Sequence, residues 1–313
     1  MQQSCPVPSD WGVVNNRSSL ALLKNNVRRL GTRAVRHLWS RKRVIVSLTS
    51  YPGRIGFVHQ VIRSLFAQTV LPDKIVLYLS RDEFPNGNVD LPDSLLSCCG
   101  FDFEIRWVSG NMKSHKKYLY AVRDFPDALV ITVDDDIVCR NTLVGELLEG
   151  YRRFPGCVPA IRCHIITFTS DGYVAPYMDW IHESGNTFSK TLNHPSMRLC
   201  PTSGAGMLLA PGSLPPEAFD EQAIRSTCLD ADDLWLKVMT SLAGWPSVSL
   251  PGWQGVISIE GSQDQALWST NSRGGNDLAF AAIRSYCAEH LEVPRIDDLM
   301  RDDDLDALVT SDG

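Results

Sequence analysis

The segment 128-ALVITVDDDIVCR-140 decides the fold, because an apolar run leads directly into three consecutive carboxylates. Short apolar runs of this kind are typical of strands buried on both faces of a parallel sheet. In open α/β sheets, ligands bind beyond the carboxyl ends of such strands. We therefore expect Asp134, Asp135 and Asp136 to lie at a binding site and not in a solvated turn. A second triplet, 302–304, follows no comparable apolar run and is expected to be solvated.

The segments around this strand alternate between strand and helix patterns. Strands are predicted at 44–50, 74–80, 103–109 and 128–133, and helices at 57–68, 114–125 and 230–242. The alternation predicts an α/β fold with a mainly parallel, Rossmann-like sheet flanked by helices. Beyond residue 150 the shorter apolar runs predict a smaller mixed sheet, and 176–205 predicts a long substrate-facing loop.

Composition favours a globular protein of the reducing cytoplasm. Of the 313 residues, 44% are hydrophobic and 21% charged, which is enough for a sizeable core. There is no apolar stretch of membrane-spanning length, and no signal peptide is recognisable. The nine cysteines are odd in number and form no CxxC pair, so neither a disulfide framework nor a zinc site is expected.

The net charge of −6 is unevenly distributed. Residues 11–72 contain 11 Lys and Arg and no Asp or Glu, so the rest of the chain carries −17. Residues 20–43 predict a basic amphipathic helix, which either packs on its own domain or contacts an anionic membrane surface. The acidic end is predicted to be a flexible tail. We therefore divide the chain into a basic N-terminal extension (1–43), an α/β domain (44–290) and an acidic tail (291–313).

The Asp-x-Asp spacing predicts a metal site. Alternation along an extended strand places Asp134 and Asp136 on one side and Asp135 on the other. Two converging carboxylates repel each other unless a cation lies between them. Mg²⁺ and Mn²⁺ take one or two carboxylates and complete their shell with phosphates and water. We therefore predict Mn²⁺ or Mg²⁺ on Asp134 and Asp136, together with a diphosphate.

Other polar and aromatic clusters have both a functional and a structural interpretation. The segment 112-MKSHKKY-118 contains three lysines: Lys113, Lys116 and Lys117. In the functional interpretation they neutralise phosphates and one of them points inward. In the structural interpretation they lie on a solvated helix face. The glycines of 201-PTSGAGMLL-209 predict a close backbone approach to another group or a plain bend. Four aromatic residues are candidates for a ligand pocket or for packing: Trp180, His182, His194 and Trp253.

The ordered motifs resemble those of the nucleotide-sugar glycosyltransferases of the GT-A fold, over about residues 44–285. They are 46-VSLTSYPGRI-55, 64-SLFAQTVLPDKIVLYLS-80, 125-FPDALVITVDDDIV-138, 204-GAGMLL-209 and 230-DADDLWLK-237. The likeness is greatest to family-2-like bacterial enzymes of capsule or lipopolysaccharide synthesis.

The resemblance implies roles for individual residues. It implies nucleotide contacts from the first strand and its turn, phosphate contacts from the lysines, and metal, ribose or diphosphate contacts from the Asp-x-Asp. These residues are Thr49, Tyr51, Arg54, Lys116, Lys117, Asp134, Asp135 and Asp136, with Asp136 as the first choice of metal ligand. The resemblance also implies a donor sugar close to the 201–209 glycines, and an acceptor pocket with the four aromatic candidates on the side of the smaller sheet. It also implies a general base at the start of the 230–242 helix, Asp233 or Asp232. The alternative is that these acids only complement the helix dipole.

The function implied is transfer of a hexose from a nucleotide sugar to a hydroxyl of a glycan or lipid-linked glycan, with a UDP-sugar as the first candidate donor. Inversion is preferred over retention, which stays open. No nucleic-acid partner is predicted. The enzyme would be cytoplasmic, with residues 20–43 as a possible contact to the inner face of the membrane. The alternatives are a haloacid-dehalogenase-like phosphatase using Asp134 as nucleophile, a nucleotidyltransferase, or a non-catalytic sugar-binding module.

Overall fold

The computed structural model describes residues 42–100, 102–183, 189–252, 259, 274–302 and 304–305. The strands are β1 Val44–Thr49, β2 Lys74–Ser80, β3 Phe103–Val108, β4 Leu129–Thr132, β5 Val158–Ala160, β6 Cys163–Ile165, β7 Leu199–Pro201, β8 Met207–Leu209 and β9 Ser247–Ser249. The α-helices are α1 Val58–Phe66, α2 Asp93–Leu96, α3 Lys116–Asp124, α4 Leu143–Arg153, α5 Glu221–Thr227, α6 Asp232–Leu242 and α7 Asn276–His290. Short 3₁₀ helices include Lys113–His115, Tyr177–Asp179, Ser203–Ala205 and Ile296–Met300.

Seven of these strands form one sheet in the order β3-β2-β1-β4-β8-β5-β9. The first four are parallel, β8 runs antiparallel to both of its neighbours, and β9 is parallel to β5. Strands β6 and β7 pair in a separate antiparallel sheet. The predicted fold class, a mainly parallel sheet flanked by helices with a smaller second sheet, is confirmed. The second sheet is antiparallel, where the sequence suggested a mixed one.

The sheet lies between two hydrophobic cores, as the near-continuous apolar strands predicted. Successive residues of a strand point to opposite faces, so Ile45 belongs to one core while Val44 and Val46 belong to the other. Helices α1 and α4 cover the face of Val44, and α3, α6 and α7 cover the face of Ile45. Both faces of the central strands are therefore buried.

The parallel pairing of β1 and β4 places their carboxyl ends at the same edge of the sheet. Ser47 lies opposite Thr132 in this pair. The turn 50–55 leaves β1, and the acids 134–136 leave β4, at that edge. The Asp134 amide donates to the Gly204 carbonyl (3.0 Å), which ties the acidic loop to the segment before β8.

The C-terminal segment differs from the flexible tail that composition suggested. Ile296, Met300 and Leu305 are fully buried against the domain. Asp297 is also buried and accepts two hydrogen bonds from Arg284, at 3.0 and 2.8 Å, and one from the Val174 amide at 2.7 Å. A carboxylate paired in this way can be buried despite its charge. The described part of 291–305 therefore packs on the domain.

Two other expectations concern the membrane. Of the predicted basic extension, residues 1–41 lie outside the described residues. Among the helices that the structure describes, none combines the length and apolar character needed to cross a membrane.

Candidate active site

All ten residues of the predicted site line a single cleft of about 600 Å³ at this edge of the sheet. They are Thr49, Tyr51, Arg54, Lys116, Lys117, Asp134, Asp135, Asp136, Asp232 and Asp233. They come from the loops after β1 and β4 and from the first turns of α3 and α6. Residues up to 184 positions apart in sequence are thus brought together.

Arg54 holds two of the three strand-end carboxylates. Its Nη1 lies 3.1 Å from Asp135 Oδ1 and 2.9 Å from Asp136 Oδ2. Ser50 Oγ donates to Asp135 Oδ2 at 2.5 Å. Burial raises the pKa of Asp135 to about 6, although Ser50 and Arg54 oppose the change.

The pairing of these acids differs from the alternation expected of an extended strand. Strand β4 ends at Thr132, so the three acids lie in the loop after it, where the alternation of side chains along a strand no longer applies. Asp135 and Asp136 consequently share Arg54, while Asp134 contacts Lys117.

Lys117 joins the strand-end acids to the helix-start acids. Its side chain is 3% exposed, and its Nζ lies 2.6 Å from Asp134 Oδ1 and 3.0 Å from Asp232 Oδ2. Burial alone would lower the pKa of Lys117, but the negative charges of Asp134, Asp232 and Asp233 outweigh it and raise the pKa. Lys117 therefore remains charged and compensates carboxylates of the protein itself.

The other two lysines differ in their surroundings. Lys116 is buried, and its Nζ donates to Glu83 at 2.5 Å and to Asn111 at 3.2 Å. Burial lowers the pKa of Lys116, and Glu83 opposes the change. Lys113 pairs with Asp230 at 2.6 Å and is 40% exposed. Two of the three lysines are thus buried, where the sequence suggested that one would point inward.

The two acids at the start of α6 have different proton affinities. Ser203 donates its hydroxyl to Asp232 and its amide to Asp233, both at 2.8 Å. Burial opposes ionisation of Asp232, but Lys117 and His115 outweigh it and lower the pKa of Asp232. Burial, together with the charge of Asp232, raises the pKa of Asp233 to about 6. Asp232 is therefore held ionised, while Asp233 can accept a proton near neutral pH.

Gly204 makes room for Asp134. A Cβ at position 204 would lie 1.8 Å from Asp134 Oδ2 and 2.2 Å from its Cγ. The close approach predicted for this glycine segment is therefore made to a carboxylate of the protein.

Sequence reasoning missed the wall of the cleft formed by β6, β7 and their flanking residues. This wall presents Arg162, His164, Cys200 and Thr202. The strands pair His164 with Cys200, and residues two apart share a face. The alternation in 162-RCHI-165 was the available signal.

Two of the four aromatic candidates, Trp180 and His182, lie near this wall. Trp180 is 5% exposed and donates to the Ala175 carbonyl, so it is a packing residue. The rings of His182 and His164 pack edge-on, with their centroids 4.5 Å apart. The unanticipated Tyr177 and Asn276 line the cleft, whereas Trp253 lies outside the described residues.

The donor set suits a hard divalent cation. Seven carboxylates and five Lys or Arg line the cleft, so full ionisation leaves an excess of two negative charges. Asp134 is the most open of the strand-end acids, at 39% exposure, against 11% for Asp136. No cluster of three or more His, Cys, Asp or Glu forms a complete ligand set among the described residues. Mg²⁺-type ions need only one or two carboxylates, so the acids of this cleft have the donor chemistry for such an ion, and its assignment to Asp134 and Asp136 stays a prediction.

Comparison with known proteins found similarity to solved structures only. No family model matches the chain, and no curated protein matches it. It is similar to a mannosyltransferase from Pyrobaculum calidifontis in complex with GDP-Man and Mn²⁺, with 12% identity, a TM-score of 0.48, and coverage of 84% of this chain and 74% of that one.

Two further structures show a comparable likeness. Glucosyl-3-phosphoglycerate synthase from Mycobacterium tuberculosis, in complex with Mn²⁺, UDP-glucose and phosphoglyceric acid, is 11% identical with a TM-score of 0.46, covering 83% and 84% of the two chains. 4-diphosphocytidyl-2C-methyl-D-erythritol synthase from Anaerococcus prevotii is 14% identical with a TM-score of 0.44, covering 74% and 96%. At such low similarity the functional evidence is the cleft itself.

Proposed function

We propose that this protein is a metal-dependent glycosyltransferase that moves a hexose from a nucleotide sugar to a glycan hydroxyl with inversion. A UDP-sugar is the first candidate for the donor. The observation that carries the proposal is the convergence of acids 134–136 and acids 232–233 in one cleft, joined by Lys117. One acidic group suits a cation on a diphosphate, and the other suits a proton acceptor. Inverting transfer uses two groups placed apart in this way, because the leaving group and the attacking hydroxyl lie on opposite sides of the anomeric carbon.

On the donor side, Asp134 and Asp136 would hold Mn²⁺ or Mg²⁺, which supplies Lewis-acid stabilisation of the leaving diphosphate. Asp135, fixed by Ser50 and Arg54, would contact the nucleotide or orient its neighbours.

The nucleotide itself would lie against the turn after β1. Thr49 donates its hydroxyl to the Tyr78 carbonyl at 2.8 Å, and the Arg54 guanidinium lies 5.7 Å from the centre of the Tyr51 ring. Lys116 and Lys117 would contribute positive charge behind this site, although both are already paired with acids.

On the acceptor side, we assign the general base to Asp233. Its pKa of about 6 lets it be ionised at neutral pH and still accept a proton from an attacking hydroxyl. Asp232 is the poorer base, because Lys117 and the Ser203 hydroxyl stabilise its ionised form. Asp232 would therefore fix Lys117 and the start of α6.

The biological setting completes the proposal. The acceptor would be a glycan or lipid-linked glycan of bacterial capsule or lipopolysaccharide synthesis, and the enzyme would act in the cytoplasm. Residues 20–43 would provide a peripheral contact to the inner face of the membrane. Replacement of Arg28, Arg29, Arg33 and Arg36 by Gln should reduce sedimentation with anionic liposomes. Equal sedimentation of both proteins would rule out this contact.

Calorimetry of UDP binding, with and without Mn²⁺, tests the proposal. We expect Mn²⁺-dependent binding that is lost in Asp136→Ala, because this change removes a carboxylate from the cleft. Asp127→Ala is the matched control, since Asp127 is exposed and precedes β4 at its opposite end. Positive binding would justify a screen of UDP-sugars, and the anomeric form of the product would test inversion.

Failure of this experiment would also be informative. Absence of UDP binding to the wild-type protein would lead to other nucleotides. If these also failed to bind, the transferase proposal would be abandoned, and phosphatase activity dependent on Asp134 would be assayed. Nucleotide-sugar binding without turnover would instead support a non-catalytic module.

A further inference from the structure

The β6–β7 wall contains a histidine whose tautomer is fixed by the backbone. His164 is 5% exposed, and its Nδ1 lies 2.9 Å from the Glu183 amide. A backbone N–H can only donate, so Nδ1 must be the acceptor. The neutral ring therefore carries its hydrogen on Nε2.

The surroundings of His164 keep it neutral. Burial, and then the positive charges of Arg162 and His182, lower the pKa of His164 to about 3. The rings of Tyr177 and His182 pack against it edge-on, with centroids 6.1 and 4.5 Å away. The ring orientation is thus set by packing as well as by the bond from Glu183.

The Nε2–H of His164 is a hydrogen-bond donor that the fold does not use. Within the described part of the chain it has no hydrogen-bond partner, and the residue lines the cleft. His164 Nε2 is not among the buried side-chain atoms left without a partner, so this N–H is open to the cleft, where water or a ligand can accept from it.

The same wall lies close to the proposed base. The negative charge of Asp233 contributes to raising the pKa of both Tyr177 and Cys200, after the larger effect of burial. Cys200 is the cross-strand partner of His164, and Tyr177 packs against it. A sugar with one hydroxyl at Asp233 would therefore have this wall beside it.

We propose that the Nε2–H of His164 donates a hydrogen bond to an acceptor-sugar hydroxyl, which makes His164 a specificity-determining residue for the acceptor. The proposal rests on the proposed glycosyltransferase function. A hydroxyl oxygen accepts such a bond, and Nε2 is the ring nitrogen left for it, because Nδ1 already accepts from the Glu183 amide. A site that reads one hydroxyl rejects sugars that lack it or present it elsewhere, because the donor would then remain unpaired.

The first test measures the histidine directly. Protein labelled with ¹⁵N-histidine, assigned at this position by loss of the signal in His164→Gln, should show the neutral Nε2–H tautomer from about pH 5.5 to 8. Addition of methyl glucosides, galactosides or mannosides with UDP and Mg²⁺ should shift the Nε2 resonance for at least one sugar. An Nδ1–H tautomer, titration near pH 6.5, or no shift with any glycoside would overturn the proposal.

The second test compares two variants with the sugar that gives the shift. His164→Phe keeps a ring but removes the donor, so it should bind that glycoside about fivefold more weakly. His164→Gln places an amide N–H in the position of Nε2 and should restore most of the affinity. Equal affinity in all three proteins would contradict the proposal, and the tautomer measurement on the wild type decides it even if His164→Phe does not fold.

UDP affinity separates this inference from the proposed function. Wild-type protein and both variants should bind UDP with Mg²⁺ equally, because His164 lies on the acceptor side. If UDP binds normally but glycosides neither shift the Nε2 resonance nor lose affinity in His164→Phe, only the assignment of His164 to the acceptor fails. If UDP does not bind to the wild type, the glycosyltransferase function fails, and this inference fails with it.

Discussion

Replacement of Gly204 by alanine should displace one of the two acids that we propose as metal ligands, although neither acid is itself substituted. The added Cβ would lie 1.8 Å from Asp134 Oδ2, 2.2 Å from Cγ and 2.8 Å from Oδ1. Carbon atoms pack at about 3.5–4.0 Å, so the carboxylate must move by about 1.5–2 Å. The Asp134 amide is bonded to the Gly204 carbonyl, so the side chain, and not the main chain, is expected to move.

This movement breaks the 2.6 Å contact between Asp134 and the buried ammonium of Lys117. Loss of one partner from a buried ion pair costs about 3–5 kcal/mol. Asp134 is 39% exposed and Asp232 still pairs with Lys117, so we expect less than this, about 2 kcal/mol, which lowers the melting temperature by about 4–8 °C. Because Asp134 is displaced, Mn²⁺-dependent affinity for UDP should fall at least about tenfold.

Calorimetry and thermal unfolding of Gly204→Ala and Gly56→Ala measure both effects. Gly56 is the matched control, because its added Cβ meets no atom within 4 Å. The control should bind UDP as the wild type does and melt within about 2 °C of it. If Gly204→Ala behaves like the control, Asp134 does not lie against Gly204, and our description of the cleft is wrong.

Three further predictions concern other buried charges. Lys237 is buried with no hydrogen-bond partner for Nζ within the described residues, and burial lowers its pKa from 10.5 to about 8. Protonation of Lys237 is thus disfavoured in the folded state. Lys237→Met should therefore stabilise the protein by about 3 kcal/mol at pH 7 and by less at pH 9. Urea unfolding that gives the same gain at both pH values would refute this. Asp233→Asn should reduce the transfer rate at least about 100-fold, while UDP affinity stays within about threefold. The wild-type transfer rate should fall as the pH drops through about 6. A flat pH–rate profile would exclude Asp233 as the base. Asp297→Ala leaves Arg284 and the Val174 amide without their acceptor and should cost about 3–5 kcal/mol in thermal unfolding, whereas a loss below about 1 kcal/mol would show that the C-terminal segment is not anchored there.

The first half of the fold was predictable because its strands are buried on both faces. Four apolar runs gave β1 to β4 to within one residue at each end, since burial leaves little choice of residue. The strands after residue 150 are three residues long, too short for a periodic pattern. Their positions depend on contacts with distant segments, such as that between β8 and β4.

The site was predictable in its membership but not in its pairing. All the proposed acids line the cleft, because strand ends and helix starts are places that sequence can locate. The partners of Lys117 lie 17 and 115 positions away, a relation that local pattern does not contain. Composition likewise suggested a solvated C-terminal end, because it does not show that Arg284 pairs with Asp297.

The contact between Gly204, Asp134, Lys117 and Asp232 also restricts how this sequence can evolve. A side chain at 204 displaces Asp134, loss of Asp134 leaves Lys117 short of a counter-charge, and loss of Lys117 leaves two acids facing each other. A substitution at any one of these positions is harmful while the other three residues are unchanged, so none of the four positions can change alone by neutral drift. In an alignment of descendants, the four positions should change together or not at all. Joint replacement would therefore mark a lineage whose cleft has taken up different chemistry.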